Sequence, residues 1–110
     1  IQQYGRKDNI LVAGYINKGE NAEKTLVREI KEETGLNVKD YQYMKSSYYE
    51  KTNTLMCNFI CVVDSEDLSQ INEEVDKAEW FSFEEALKNI KSKSLAEEFL
   101  IYAFKKMNYI

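Results

Sequence analysis

Residues 14–36 read GYINKGENAEKTLVREIKEETGL, and this stretch decides the fold. Asn21 is a residue type that caps helix N-termini and Gly35 one that stops helices in a left-handed turn, so the pattern predicts a helix over Ala22 to Thr34. At about 100° per residue, Glu29, Glu32 and Glu33 fall within roughly 100° of arc. Ala22, Leu26, Val27 and Ile30 occupy an adjoining, partly overlapping arc, while Lys24, Arg28 and Lys31 take the opposite, solvated side. An amphipathic helix ordinarily places its glutamates away from its apolar stripe. Three carboxylates crowded beside the buried edge therefore call for a compensating charge, which a divalent cation would supply. Hard oxygen donors with no His or Cys nearby favour Mg²⁺ or Mn²⁺ over Zn²⁺. The same spacing also fits a salt-bridged surface helix, and helix geometry alone leaves the two readings level.

Outward from this helix the chain alternates turns and strands without a single proline. Gly5 to Asn9 reads as a turn, Ile10 to Ile16 as a strand, and Lys18 to Asn21 as a polar loop. Val38 to Tyr49 and Thr54 to Val63 form a predicted hairpin around Lys51, Thr52 and Asn53. Its second strand is apolar on both faces, which predicts a central place in a sheet. Ala78 to Phe81 is a short final strand. Ser82 with Glu85, then Ser94 with Glu97, each spell a capping box that opens a helix. The last helix carries Leu95, Phe99, Leu100, Ala103 and Met107 at helical spacing, a face expected to pack on the sheet.

Composition narrows the function. The 110 residues bear 15 Lys plus Arg against 19 Asp plus Glu, a formal charge of −4. With 44% apolar residues this is one globular domain of 1–110. Its mild acidity argues against duplex nucleic acid as a partner, and a phosphate-rich ligand would have its charge offset locally or by a metal. The absence of His removes His-based triads and His metal sites. Cys57 and Cys61 lie four apart in a β-rich run, roughly 13 Å along one strand face, too far for a disulfide. They read as buried free thiols in a reducing cytoplasm. No apolar run approaches a membrane span and there is no signal-like segment. The chain opens on Ile1 rather than Met, which points to a processed chain or an omitted segment.

Read from Gly14, the spacing is Gly14, five residues, Glu20, seven residues, then Arg28-Glu29-Ile30-Lys31-Glu32-Glu33-Thr34-Gly35-Leu36. This resembles the complete Nudix box, G-x5-E-x7-R-E-U-x-E-E-x-G-U with U aliphatic. Chance would supply such a match in roughly one chain of this length in several tens of millions. The resemblance implies an α/β fold, a Nudix-type α/β/α sandwich around a mixed sheet. It also implies Mg²⁺-dependent (or Mn²⁺-dependent) hydrolysis of a diphosphate bridge in a nucleoside diphosphate derivative, a nucleotide-type small molecule. By the same resemblance Glu29, Glu32 and Glu33 are the metal-ligand carboxylates and catalytic residues, the backbone carbonyl of Ala13 or Gly14 adds an oxygen donor, and Arg28 paired with Glu20 orients a glutamate. An Arg fork fixes a carboxylate better than Lys, and small residues let backbone approach a metal, which suits these roles.

A looser resemblance continues past the box. Ser46 to Phe59, SSYYEKTNTLMCNF, is similar to the SQPWPFPxS…LM segment of NAD pyrophosphatases in the Nudix superfamily, without its prolines and Trp. Glu74 to Phe81, EVDKAEWF, resembles that group's E-x3-A-x-W-F. These matches imply Glu74 as a fourth metal-site carboxylate, beside its plain reading as an acid on a solvated turn, and NAD(H) or ADP-ribose as substrate. Trp80 is expected in the core. Tyr48 and Tyr49 either stack a substrate base or face the core edge. The alternative to an enzyme is a catalytically idle nucleotide-sensing or protein-binding module, which typically loses box carboxylates that are intact here. The family's strand hairpin before the box strand is expected to be missing, with only Ile1 to Tyr4 as its remnant. An upstream segment or a homodimer partner would then supply the strand.

Overall fold

Helix α1 spans Ala22–Thr34 in the computed structural model, which describes residues 1–109. Asn21 Oδ1 accepts the Lys24 N–H at 2.9 Å, and Gly35 takes φ +78° with its own N–H on the Lys31 carbonyl at 2.9 Å. That left-handed φ suits glycine. A Cβ here would also meet the Gln70 side chain at 2.5 Å, so the helix stop and the packing of the 70s loop need the same residue.

Strands β2 (Val38–Tyr49) and β3 (Thr54–Val63) pair antiparallel from Val38 opposite Val63 to Tyr49 opposite Thr54, with a 3₁₀ turn at Glu50–Thr52. Asn53 closes the turn at φ +51°, a conformation Asn tolerates better than most residues. Tyr41 and Tyr43 meet Phe59 edge-on, with centroids 6.0 and 5.5 Å apart. The expected central place of β3 is not observed, since it pairs with β2 alone and leaves Leu55 and Val62 exposed. For the same reason the thiols are not both buried. Cys57 is exposed and Cys61 half-buried, both are free, and burial pushes the Cys61 thiol up.

The segment Ile10 to Ile16, expected as a strand, is not one. Ile10 is tied backward instead: its N–H donates to the Ile1 carbonyl at 2.9 Å, and the Ile1 backbone nitrogen donates to the Ile10 carbonyl at 2.8 Å. Further along, the Tyr15 carbonyl accepts from Arg28 and the Asn17 N–H donates to Glu20. Within the segment, Ile10 is thus held by the Ile1 backbone and the Tyr15 carbonyl by Arg28, neither as part of a ladder.

Strand β1 (Gln2–Gln3) pairs antiparallel with β4 (Val75–Lys77), where Val75 is buried. The final strand therefore ends before Ala78 to Phe81. The Trp80 indole N–H donates to the Glu66 carbonyl at 2.9 Å, and Trp80 is 52% exposed rather than in the core. Both capping boxes form. Ser82 Oγ accepts the Glu85 N–H ahead of α2 (Phe83–Asn89), and Ser94 Oγ accepts the Glu97 N–H ahead of α3 (Leu95–Lys106). The apolar face of α3 buries Ala103 and Phe104 chiefly against α2 and the chain end, where Phe83 stacks on Tyr109 at 3.9 Å and meets Phe104 edge-on at 5.0 Å. Toward the sheet, the Lys45 ammonium of β2 lies 4.7 Å from the Tyr102 ring centre. The class is α/β, but the described strands form two antiparallel pairs, with parallel geometry only at the isolated bridge between Asn9 and Ile90. No described helix is long and apolar enough to cross a membrane.

Candidate active site

Arg28 is not on a solvated face but at the centre of a charge network. Its Nε donates to Glu20 Oε2 at 2.7 Å and its Nη2 to Glu20 Oε1 at 2.9 Å, the two-pronged geometry a guanidinium favours. Nη1 donates to Glu29 Oε1 at 2.7 Å and to Glu32 Oε2 at 3.2 Å, and Nη2 also reaches the Tyr15 carbonyl at 3.1 Å. Glu20 accepts further bonds from the Asn17 N–H and the Thr25 hydroxyl. Arg28 is the main cause that holds the Glu20 carboxyl at about 2, and Glu20 in turn pushes Arg28 further up. One cation thereby ties the loop before α1 to two of the helix glutamates.

Glu33 stands apart from that network. It is 7% exposed, Oε1 accepts from Gln3 Nε2 at 3.1 Å, and Oε2 is buried with no hydrogen-bond partner. Burial is the chief cause that raises its carboxyl above the ordinary 4.5. Gln3 opposes the rise, and the negative charges of Glu29, Glu74 and Glu32 add to it. Glu74, although exposed on its turn, is therefore within electrostatic reach of the helix acids. Among the described residues no three acidic side chains converge tightly enough to share an ion as they stand. Arg28 has drawn Glu29 and Glu32 onto its guanidinium, and Gln3 holds Glu33 elsewhere.

Gly14 meets the helix at Glu29. A Cβ on Gly14 would overlap the Glu29 carboxylate, so any larger residue here would push that flexible side chain from its present place. Ala13 and Gly14 are exposed and line a cavity of about 660 Å³ that Tyr49 also borders. Tyr48 is not brought to that cavity: it is 59% exposed and its hydroxyl donates to Asn53 Oδ1. Sequence reasoning missed Gln3. A lone Gln in a two-residue strand carries no motif, and its role follows only from the pairing of β1 with β4 that brings it to the end of α1.

The donor set fits a divalent cation on oxygen ligands. Glu33 leaves a buried carboxylate oxygen unpaired beside like charges, an arrangement that favours a cation. A model of the NUDIX domain family matches residues 1–101. The chain is 32% identical over 96 residues to an NAD-capped RNA hydrolase NudC of Mannheimia succiniciproducens, covering 87% of this chain and 36% of that protein. It is 29% identical over 92 residues to the protein so named in Haemophilus influenzae, covering 84% and 35%, and 28% over 99 residues to that of Pseudomonas fluorescens, covering 89% and 36%. The chain thus spans about a third of the length of these curated relatives. The box at 14–36, the glutamates grouped around Arg28 and the match over 1–101 place this chain in the NUDIX domain family.

Proposed function

We propose that this chain is the hydrolytic domain of a Mg²⁺- or Mn²⁺-dependent enzyme that cleaves the diphosphate bridge of a nucleoside diphosphate derivative, with NAD(H), ADP-ribose or an NAD-linked nucleotide as its substrate class. The observation that carries this reading is Glu33, a buried carboxylate with an unpaired oxygen and like charges around it. Glu29, Glu32, Glu33 and Glu74 would hold the cation, with a backbone carbonyl of Ala13 or Gly14. When bound, the cation supplies countercharge to the carboxylates and the diphosphate, and acidity to water.

The protein's own groups do the positioning. Glu20 fixes the Arg28 guanidinium through two hydrogen bonds, and Arg28 sets the orientation of the Glu29 carboxylate. Gly14 keeps the loop backbone against that carboxylate. A box glutamate accepts the proton of the attacking water as the bridge oxygen leaves with one phosphate. Tyr49 borders the cavity beside Gly14, where a base or nicotinamide ring can stack. The relatives' name, NAD-capped RNA hydrolase, supports the dinucleotide class. Release of nucleoside monophosphate from NADH, ADP-ribose, an NAD-capped oligonucleotide and dGTP, with and without Mg²⁺, tests the reading. Metal-dependent product from the diphosphate-bridged compounds is expected. No product from any of them, in protein shown to be folded, would favour an idle binding module.

A further inference from the structure

The cavity beside Gly14 carries a charge that the chain as a whole does not. Lys51, Lys91 and Lys93 line it with Glu98 as the one acid, whereas the whole chain has a formal charge of −4. The lysines come from two connections distant in sequence. Lys51 lies in the turn between β2 and β3, while Lys91 and Lys93 lie between α2 and α3. Their convergence is thus a product of the fold rather than of a basic run. The Lys91 ammonium stands 3.9 Å from Asp8, a loose pair. Among the described residues neither Lys51 nor Lys93 has a carboxylate within ion-pair distance. Lys93 also sits at φ +56°, a conformation a long side chain seldom takes.

Ala13 and Gly14, the residues whose carbonyls the proposed function gives to the cation, line the same cavity. The proposed function assigns the scissile diphosphate's countercharge to a cation on the Ala13 and Gly14 side, and these lysines take no part in holding it. Lys51 and Lys93, with no carboxylate at ion-pair distance among the described residues, leave positive charge in this cavity that a further anionic group on the substrate would neutralise. A small acidic protein would otherwise repel such a substrate, and a local cationic wall reverses that field.

We propose that this cavity binds a phosphate that the substrate carries in addition to its scissile diphosphate, and that Lys51, Lys91 and Lys93 select for it. The inference rests on the hydrolase reading above. The phosphate comes either from a phosphodiester of a nucleotide chain or from a monoester on a ribose, and the chemistry recognised is the same.

Two measurements test it. In Mg²⁺, kcat/KM is compared for NADH, for NADPH, which adds a ribose monoester, and for an NAD-capped pentanucleotide, which adds phosphodiesters. The proteins are the parent, the double variant Lys51→Gln/Lys93→Gln, and Lys39→Gln on β2 away from the cavity. The parent is expected to prefer at least one phosphate-bearing substrate over NADH, and the double variant to lose about tenfold of that preference while Lys39→Gln keeps it. Which substrate is preferred identifies the source. The second measurement needs no turnover: fluorescence anisotropy of a 3′-labelled, 5′-phosphorylated pentanucleotide with metal-free protein. The double variant should bind about tenfold more weakly, and the slope of log affinity against log salt should flatten by about 1.4 for two lost contacts to a single strand. The proposal is overturned if the parent fails to bind this probe, or if the double variant binds it as tightly with the same salt slope. Absence of turnover on every substrate would count against the hydrolase reading alone, because the lysines are read by binding.

Discussion

Glu33→Gln separates the cost of the metal-free site from its use. The substitution keeps volume and shape at a position that is 7% exposed and removes one of the negative charges that crowd the end of α1. Gln cannot pair the orphaned position either, so the desolvation cost of one unpartnered polar atom, about 1–3 kcal/mol, stands on both sides of the comparison. What changes is the repulsion from Glu29, Glu74 and Glu32 and the extra cost of a charge over an amide, which we place at about 1 kcal/mol. For a chain of this size that is a rise of about 4–8 °C in Tm without metal. The dependence on pH has a definite sign. Because the folded carboxyl titrates above the ordinary 4.5, the parent holds its full stability from this group below 4.5 and loses it as pH rises through the raised value. The variant has no such loss. With Mg²⁺ the order reverses, the parent gaining stability and the variant little. Turnover should fall on the order of 100-fold or more, the loss typical when an electrostatic group at a transition state is removed. Thermal unfolding at pH 4.5 and 8 in EDTA and in Mg²⁺, alongside steady-state assays, reads all of this. A variant less stable than the parent in EDTA at pH 8, or one that keeps both its Mg²⁺ shift and a rate within a few-fold, would refute the reasoning.

Gly14→Ala should lower kcat by about tenfold or more with little change in Tm, because an exposed residue gains a methyl that must displace the Glu29 carboxylate; unchanged kcat would contradict the close approach. Arg28→Lys should cost about tenfold in kcat, since one ammonium cannot replace a fork that grips Glu20 at two points and Glu29 at a third. In the same series the Glu20 carboxyl, held at about 2 by Arg28, should return toward 4.5 in Arg28→Ala when followed by carboxyl NMR, and the stability it lends above 4.5 should be lost only as pH falls toward 2 in the parent. Excess chelator should abolish turnover, and activity with Mg²⁺ should rise toward alkaline pH; full rate in chelator would remove the metal from the scheme. NADH and ADP-ribose should exceed dGTP in kcat/KM, and a clear preference for dGTP would count against a dinucleotide substrate.

Local signals were legible where the partner lay nearby in sequence. Asn21 caps a backbone N–H three residues on, Gly35 closes on Lys31, and Ser82 and Ser94 each cap their own helix, so α1, α2 and α3 begin where the sequence places them. The hairpin of β2 and β3 is equally local. Elements that need a distant partner were misread. Ile10 to Ile16 has the composition of a strand, yet a strand exists only if a neighbour pairs with its backbone, and here the bonds at its two ends go to Ile1 and to Arg28. The apolar faces of β3 predicted two neighbours and found one, which exposed Leu55 and Cys57. Trp80 donates to one carbonyl, that of Glu66, which no spacing rule could have named.

The same distinction explains what the box did and did not reveal about its chemistry. Helical spacing groups the three glutamates on one arc, but at about 100° per residue it also sets Arg28 only about 40° from Glu32, an i,i+4 neighbour, so the solvated-side reading overlooked a contact the spacing itself allows. The guanidinium swings to Glu29 and Glu32 on one side and to Glu20 on the other, and so supplies part of the countercharge that the arc argument assigned wholly to a cation. Glu33 is the residue it does not reach. The carboxylate that Arg28 leaves unserved is also the most buried of the acids considered, with one oxygen unpaired and three acids raising its affinity for a proton. An internal arginine therefore stabilises the outer glutamates in the absence of metal, while the unfilled demand for positive charge is concentrated at Glu33. A cation entering the site would relieve that demand directly and would compete with Arg28 for Glu29 and Glu32, which ties metal binding to the position of the Arg28–Glu20 clamp and, through the Tyr15 carbonyl, to the loop that carries Gly14.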